Sequence, residues 1–305
     1  MTFSIIIPAF NAEDYLQRCF DSIFCQTFTD YEMICIDDGS TDGTATILKQ
    51  YPQVKVITQA NQGMASARNR GMEMAQGDYI LFVDSDDRLS PNALTTLASH
   101  IDSEDIIGFG TRIFNETTEE YTDNPIQSTA ATTGWEYFNH HRLTPSPVHF
   151  VCIWQRAYRH EFLNDNKLRF VDGLRRAEDD LFTTMAMLHA RSTKTIADCL
   201  YIYHLRTNSI TRSDNPALRD DARRAQQMLA ETFIPLQGVD KRIIYQVLAS
   251  NYITLLSSKG NTLTPDEWHQ FREVCVTPRH RRLYHISHIS PALLQLYNNL
   301  CSSLR

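Results

Sequence analysis

Two carboxylates flanking one small residue, Asp84-Ser85-Asp86, follow the apolar run at residues 80–83. At the end of a strand, such a pair can ligate one hard divalent cation. Mg²⁺ and Mn²⁺ take oxygen ligands and leave coordination positions for phosphate oxygens. A cation held there would neutralise a diphosphate leaving group. A polar loop capping the next helix accounts for the motif equally well when it is taken alone. A second acidic run, Glu178-Asp179-Asp180, opens a helical pattern, where negative charge suits the positive end of the helix dipole.

The elements that must position these groups alternate. Continuous apolar runs at residues 3–7, 33–36, 54–57, 79–83 and 106–109 predict strands. Helical spacing predicts helices over 12–27, 42–51 and 64–75, and one after Ser90-Pro91. Thr41 is the expected N-cap of the second of these. Unalternating strands separated by helices imply a mostly parallel sheet covered on both faces. Ligands on such sheets bind beyond the carboxyl ends of the strands. Ala9-Phe10-Asn11, Asp37-Asp38-Gly39-Ser40 and Asp84-Ser85-Asp86 all fall at those ends, so they should converge on one site. Residues 111–130 predict a hairpin or loop, Thr133 with Glu136 a capping box, residues 178–190 a helix and 200–203 a strand. Beyond residue 214 only helices are expected, with starts at Thr264-Pro265 and Ser290-Pro291.

SIIIPAFNAEDYLQRCFDSIFCQTFTDYEMICIDDGSTDGT and NQGMASARNRGMEMAQGDYILFVDSDD resemble the opening blocks of family 2 glycosyltransferases. The resemblance is specific over residues 3–90 and continues more loosely through IWQRAYRHEFLNDNKLRF, AEDDLF and YIYHLRTNSIT to about residue 212. It implies an α/β fold of the GT-A type, with a Rossmann-like central sheet flanked by helices and an α-helical C-terminal extension. It also implies sugar transfer from a nucleoside diphosphate sugar, usually a UDP-sugar. By resemblance, Pro8, Ala9, Phe10 and Asn11 pack against the nucleoside and Glu13 lies near ribose and base. Asp38 meets the uracil ring, and Arg68 reaches base or phosphate. Asp84, Ser85 and Asp86 form the metal motif, with Asp86 the direct Mn²⁺ or Mg²⁺ ligand. Asp87 is an extra acid, expected as a solvated charge. Asp179 is the expected general base, with Asp180 the alternative and Glu178 beside them on the acceptor side. Relatives often carry Gly where Ala177 stands.

His204 matches a position where some relatives place a metal ligand and others an arginine; a structural histidine is the alternative. Arg206 could serve the diphosphate. Trp154 is either an acceptor platform or a core residue. Arg156, Arg175 and Arg176 could meet an anionic acceptor or simply be surface charge.

With 305 residues and net charge −7, the chain predicts a globular protein without a broad nucleic-acid surface. The expected division is 1–214 catalytic (1–110 nucleotide-sugar half, 111–214 acceptor half) and 215–305 helical. No apolar run approaches bilayer length, no signal peptide is apparent, and the seven cysteines form no zinc-like or CxxC pattern. A cytoplasmic protein with reduced thiols is expected. Residues 271–305 hold five arginines against one glutamate. Leu293, Leu294, Leu296, Tyr297 and Leu300 share a helical face, which suggests either peripheral membrane contact or packing on the catalytic domain. The expected activity is an inverting, metal-dependent transfer of one sugar to a glycan or lipid-linked acceptor at the inner face of the cell membrane. A non-catalytic nucleotide-sugar-binding protein and a sugar nucleotidyltransferase are the alternatives; the latter needs a Gly-rich phosphate loop that PAFNAEDYL does not offer.

Overall fold

A computed structural model describes residues 1–143, 150–206, 216–257 and 262–289. The chain forms two compact units, residues 1–215 and 216–305. The first contains β1 (Phe3–Ala9), α1 (Leu16–Phe24), β2 (Tyr31–Asp37), α2 (Thr44–Leu48), β3 (Lys55–Thr58), α3 (Met64–Met74), β4 (Tyr79–Phe82), β5 (Arg88–Leu89), α4 (Ala93–Ala98), β6 (Ile106–Asn115), β7 (Glu120–Asn124), β8 (Thr129–Thr132), α5 (Gly134–His141), β9 (Arg156–Arg159), α6 (His160–Asp165), α7 (Glu178–His189) and β10 (Thr193–Leu205).

All of these strands join one sheet of order β3-β2-β1-β4-β9-β6-β10-β5, with β7 on β6 and β8 on β10. β1, β2, β3 and β4 pair parallel, as do β6 and β10. The α/β layout is as the sequence predicted, but the sheet is mixed: among the described residues four pairings are parallel and five antiparallel, so the expected parallel arrangement holds for β3-β2-β1-β4 and for β6 with β10. The connection that apolar periodicity does not show is β9, which runs antiparallel between β4 and β6. Its sequence, RAYR, has no apolar run, so pairing rather than hydrophobicity recruits it. β10 is also much longer than the predicted 200–203, because its first half pairs β6 and β8 along a threonine-rich stretch.

Burial explains the apolar runs. Every residue of β1 and β4 is buried, so these central strands show no alternation. α3 lies close against β1: a Cβ on Gly71 would stand 2.4 Å from Ile6 Cγ2, a separation no side chain tolerates. That approach brings Arg68, one turn earlier, against the sheet.

Four helix starts differ from or agree with expectation for local reasons. α2 begins at Thr44 and not at Thr41, because Asp42 Oδ1 accepts the Thr44 amide. α4 begins at Ala93 after Asn92 in a left-handed conformation (φ 59°), so Ser90-Pro91 precedes the helix; the Ser90 side chain instead donates to Cys199 O on β10. Thr133 forms the predicted capping box with Glu136, and the predicted helix start at Thr264 is likewise a capping box, with Glu267.

The second unit holds α8 (Pro216–Phe233), α9 (Arg242–Ser257), α10 (Pro265–Val274) and α11 (Pro278–Ile289). Phe233, Ile244, Leu248, Tyr252 and Phe271 form its buried core. The predicted start at Ser290-Pro291 and the amphipathic face of Leu293 to Leu300 lie outside the described residues. No helix among the described residues is long and apolar enough to cross a membrane. The six described cysteines form no disulfide.

Candidate active site

The loops after β1 and β2 are stitched together. The Asp38 amide donates to Ala9 O at 2.8 Å. Asn11, left-handed at φ 49°, donates its amide to Ser40 Oγ (3.0 Å) and accepts the Thr41 amide on Oδ1 (2.8 Å). Glu13 Oε2 accepts the Gly43 amide at 2.5 Å, and a Cβ on Gly43 would fall onto that same oxygen. Asn11 and Glu13 thus shape the two loops. Pro8 sits inside β1 opposite Ile36, while Phe10 is exposed at the rim.

Asp38 is buried with three donors on its carboxylate. Oδ1 takes Gln59 Nε2 (2.8 Å) and the Gln62 amide (2.9 Å), and Oδ2 takes the Gly63 amide (2.8 Å). The carboxylate thereby anchors the start of α3, where it complements the helix dipole.

Four residues into that helix, Arg68 is 1 % exposed. Its Nη1 donates to Asp179 Oδ1 at 2.8 Å and to Glu178 Oε1 at 3.2 Å, and its Nη2 to Asp84 Oδ1 at 3.0 Å. The guanidinium also faces the Phe170 ring at 5.5 Å. One cation therefore joins the loop after β4 to the start of α7, blocks almost a hundred residues apart in the chain. Burial works against the charge of Arg68, but Asp179, Asp84 and Glu178 outweigh it and raise the pKa of the guanidinium further. The Asp179 carboxyl is pushed up to about 8. Desolvation is the main cause, opposed by Arg68 and reinforced by Glu178, Asp84 and Asp180. Its side chain remains 26 % exposed, so solvent reaches it.

The Asp84–Asp87 loop is fixed from β10. Tyr201 OH accepts the Asp84 amide (3.1 Å) and donates to Asp87 Oδ2 (2.8 Å), and Asp87 Oδ1 accepts the His204 amide (2.8 Å). Asp87 is 1 % exposed, which corrects its expected place as a solvated charge. Burial, and then Asp84, push its carboxyl well above the usual range. Asp86 is ion-paired to Arg206, whose guanidinium lies 4.3 Å above the Tyr15 ring, and its backbone carbonyl accepts Arg18 Nη2 at 2.9 Å. Ser85 is half-buried between them.

His204 is buried. Its Nε2 accepts Arg88 Nε at 2.8 Å, so Nδ1 carries the proton shared with Glu116 Oε1 at 2.9 Å. Desolvation pushes its pKa down to about 4. The one lone pair of the neutral ring is occupied by Arg88, and a metal-ligand role would require Arg88 to release it. No role for Tyr201, Arg18, Arg88 or Glu116 is legible in the sequence. Only their partnership with Asp84, Asp86, Asp87 and His204 reveals them.

On the other side, Trp154 is 5 % exposed and stacked on Tyr201 (4.4 Å) and Tyr203 (5.5 Å). It belongs to the core, which corrects the acceptor-platform expectation: a buried ring has no face for a sugar. Asp180 turns away from Arg68 and accepts both contacts from Arg142 at 3.1 Å. That geometry favours Asp179 as the group facing Asp84. Arg156 is also buried, donating to Cys152 O and Phe150 O, whereas Arg175 and Arg176 are exposed.

Ala177, the N-cap of α7, is left-handed at φ 64°. This is the conformation that glycine adopts without a Cβ penalty. Ala177→Gly is expected to raise stability by about 0.5–1 kcal/mol, the strain relieved less the added unfolded-state entropy. Chemical denaturation of both proteins measures the difference.

The donor set suits a hard cation in part. Asp84 and Asp86 are 26 % and 30 % exposed carboxylates, and among the described residues no cluster of three or more His, Cys, Asp or Glu side chains could hold a metal. Two carboxylates with substrate phosphates as the remaining ligands is a common Mg²⁺ arrangement.

Residues 4–166 match the family model described as "Glycosyl transferase family 2". The chain belongs to that family. Among family relatives, it is 35 % identical over 219 residues to the uncharacterized glycosyltransferase YibD of Escherichia coli, covering 68 % of this chain and 63 % of that one. It is 33 % identical over 219 residues to the poly(ribitol-phosphate) β-glucosyltransferase of Bacillus spizizenii, covering 67 % of this chain but only 32 % of the relative. The chain thus spans less than two thirds of these relatives. The crystal structure of S. aureus TarS 1-349 in complex with UDP-GlcNAc superposes with a TM-score of 0.68 at 23 % identity, over 97 % of this chain and 89 % of that one. The family fold, GT-A, is therefore the fold of this chain.

Proposed function

We propose that this family 2 member is an inverting glycosyltransferase that moves one sugar from a UDP-sugar to a glycan or lipid-linked acceptor in cell-surface polysaccharide synthesis. The observation that carries the reading is Arg68, which holds Asp84 and Asp179 on one guanidinium. Leaving group and attacking hydroxyl must approach opposite sides of one sugar carbon, and this pairing puts a diphosphate-side carboxylate beside a candidate base. Asp179 would accept the proton of the acceptor hydroxyl. Asp84 and Asp86 would hold Mn²⁺ or Mg²⁺, which when bound neutralises the charge of the departing diphosphate. Arg206 stands beside Asp86 and Tyr15, where it could pair with the same diphosphate. The stitched loops of Asn11, Glu13 and Asp38 would form the nucleoside wall, with Phe10 and Ser85 at its rim. The TarS complex holds UDP-GlcNAc and the Bacillus relative is named for a poly(ribitol-phosphate) acceptor; both support a UDP donor and a surface polymer.

Calorimetric titration of UDP with and without Mn²⁺ tests the donor site. UDP should bind more tightly with Mn²⁺, and Asp86→Ala should weaken that binding by more than about tenfold, or 1.4 kcal/mol. Absence of UDP binding under both conditions would remove the donor assignment.

Lipid-linked acceptors would favour docking at an anionic membrane face. α11 supports this: Arg279, Arg281 and Arg282 are exposed on a helix without an acidic residue. Flotation with phosphatidylglycerol vesicles should carry full-length protein upward and leave a chain ending at residue 277 behind. Equal behaviour of the two would end the membrane reading.

A further inference from the structure

One exposed aromatic ring in the first unit is packed on a neighbouring ring and hydrogen-bonded through its hydroxyl. Tyr121 on β7 is 52 % exposed. Its ring packs on Phe114 of β6 at 4.7 Å, and its hydroxyl accepts Arg88 Nη2 at 3.0 Å. Arg88 spans the Phe114 ring at 5.7 Å and donates through Nε to His204, whose own ring meets Phe114 at 5.1 Å. Tyr121, Phe114 and His204 are directly opposite one another on three neighbouring strands, so they lie in one row on one face of the sheet. The row ends at the Asp84–Asp87 loop, since Asp87 accepts the His204 amide. With strands about 4.8 Å apart, Tyr121 stands about 10 Å from the β10 end of that row.

Beside the ring lies a matched polar pair. Arg112 and Asp123 are also opposite each other. Arg112 donates to Asp123 through Nε at 2.5 Å and Nη2 at 3.1 Å, its guanidinium 6.0 Å from the Tyr121 ring. Both side chains are about half exposed, at 41 % and 53 %. Spare N–H groups and carboxylate lone pairs therefore point to solvent beside an apolar ring.

A pyranose has the complementary chemistry: a face of C–H bonds that lies on an aromatic ring, and equatorial hydroxyls that bridge a donor and an acceptor at its edge. Fixing the platform beforehand removes the ordering cost that a free tyrosine would meet on binding. Resting on the glycosyl-transfer reading, we propose that Tyr121, with the Arg112–Asp123 pair, forms a subsite for a sugar ring of the acceptor glycan, two strands away from His204 on β10. The subsite lies on β6 and β7 and shares no residue with the nucleoside wall.

Saturation-transfer NMR on the full chain tests this with methyl β-D-glucopyranoside and its 2-acetamido analogue as probes. Wild type should transfer saturation to the ring protons of the probes. Tyr121→Ala should lose most of that signal, and Tyr121→Phe, which keeps the ring, should retain it. UDP binding measured on the same samples should be equal in all three proteins, which checks the fold. No transfer in wild type, or equal transfer in Tyr121→Ala, overturns the subsite. Loss of UDP binding in wild type sinks the donor reading separately. Tyr121-dependent transfer in a chain that binds no UDP would overturn the acceptor assignment, since no donor would serve it.

Discussion

Arg68→Met is expected to lower stability by about 3–5 kcal/mol, the range for removing one partner of a buried ionic cluster. The reason is charge left behind. Asp84, Glu178 and Asp179 all accept hydrogen bonds from one guanidinium that is 1 % exposed. Methionine fills much of the arginine volume, so the loss is electrostatic and not a cavity. A domain of this size shifts by about 2–4 °C per kcal/mol, which makes the change plain in a thermal melt. Raising the pH should deepen the defect, because Asp179, pushed up to about 8, then ionises without its counter-charge. An unchanged melting temperature would mean that the cluster is held by other groups.

Asp179→Asn should separate chemistry from folding. Removing a positioned general base typically costs about 10²–10⁴-fold, so kcat should fall by that amount while UDP binding persists. Stability should move the other way with pH. The Asp179 carboxyl is pushed up to about 8 by desolvation and by its acidic neighbours, far above its unfolded value. The folded state therefore holds a proton that the unfolded state releases, and wild-type stability falls as pH rises from about 4 towards 8. Asparagine cannot ionise, so the variant should melt above wild type at pH 8 and near it at pH 4. The same protonation implies that kcat/KM of wild type rises with pH until Asp179 is deprotonated. A variant with undiminished kcat would transfer the base role to Asp180, although Arg142 already holds that carboxylate.

Local features explain why much of the fold was legible beforehand. Strands buried on both faces need continuous apolar runs, so β1, β2 and β4 announce themselves. Capping boxes at Thr133 and Thr264 depend on residues three apart and are equally local. β9 escaped because a strand that pairs on both edges can be built from RAYR without an apolar run. β5 escaped because two residues carry no period.

For the site, the sequence by itself determined which side chains can do chemistry. It placed carboxylates after β4 and at the start of α7, and an arginine on α3, because strand ends and helix starts are where a parallel sheet exposes its polar loops. Tertiary structure alone decided their roles. Arg68 became a buried tie between two carboxylate groups because Gly71 lets α3 settle onto Ile6. Asp87 became an anchor for β10, while its neighbour Asp86 stayed at the surface, because one loop turns a single carboxylate under Tyr201. Trp154 went inside and Tyr121 stayed outside although both are aromatic, because β10 covers the first with Tyr201 and Tyr203 while the second lies on β7, which among the described residues pairs only with β6. Spacing along the chain encodes which way a residue points; what it meets there depends on strands that are distant in sequence.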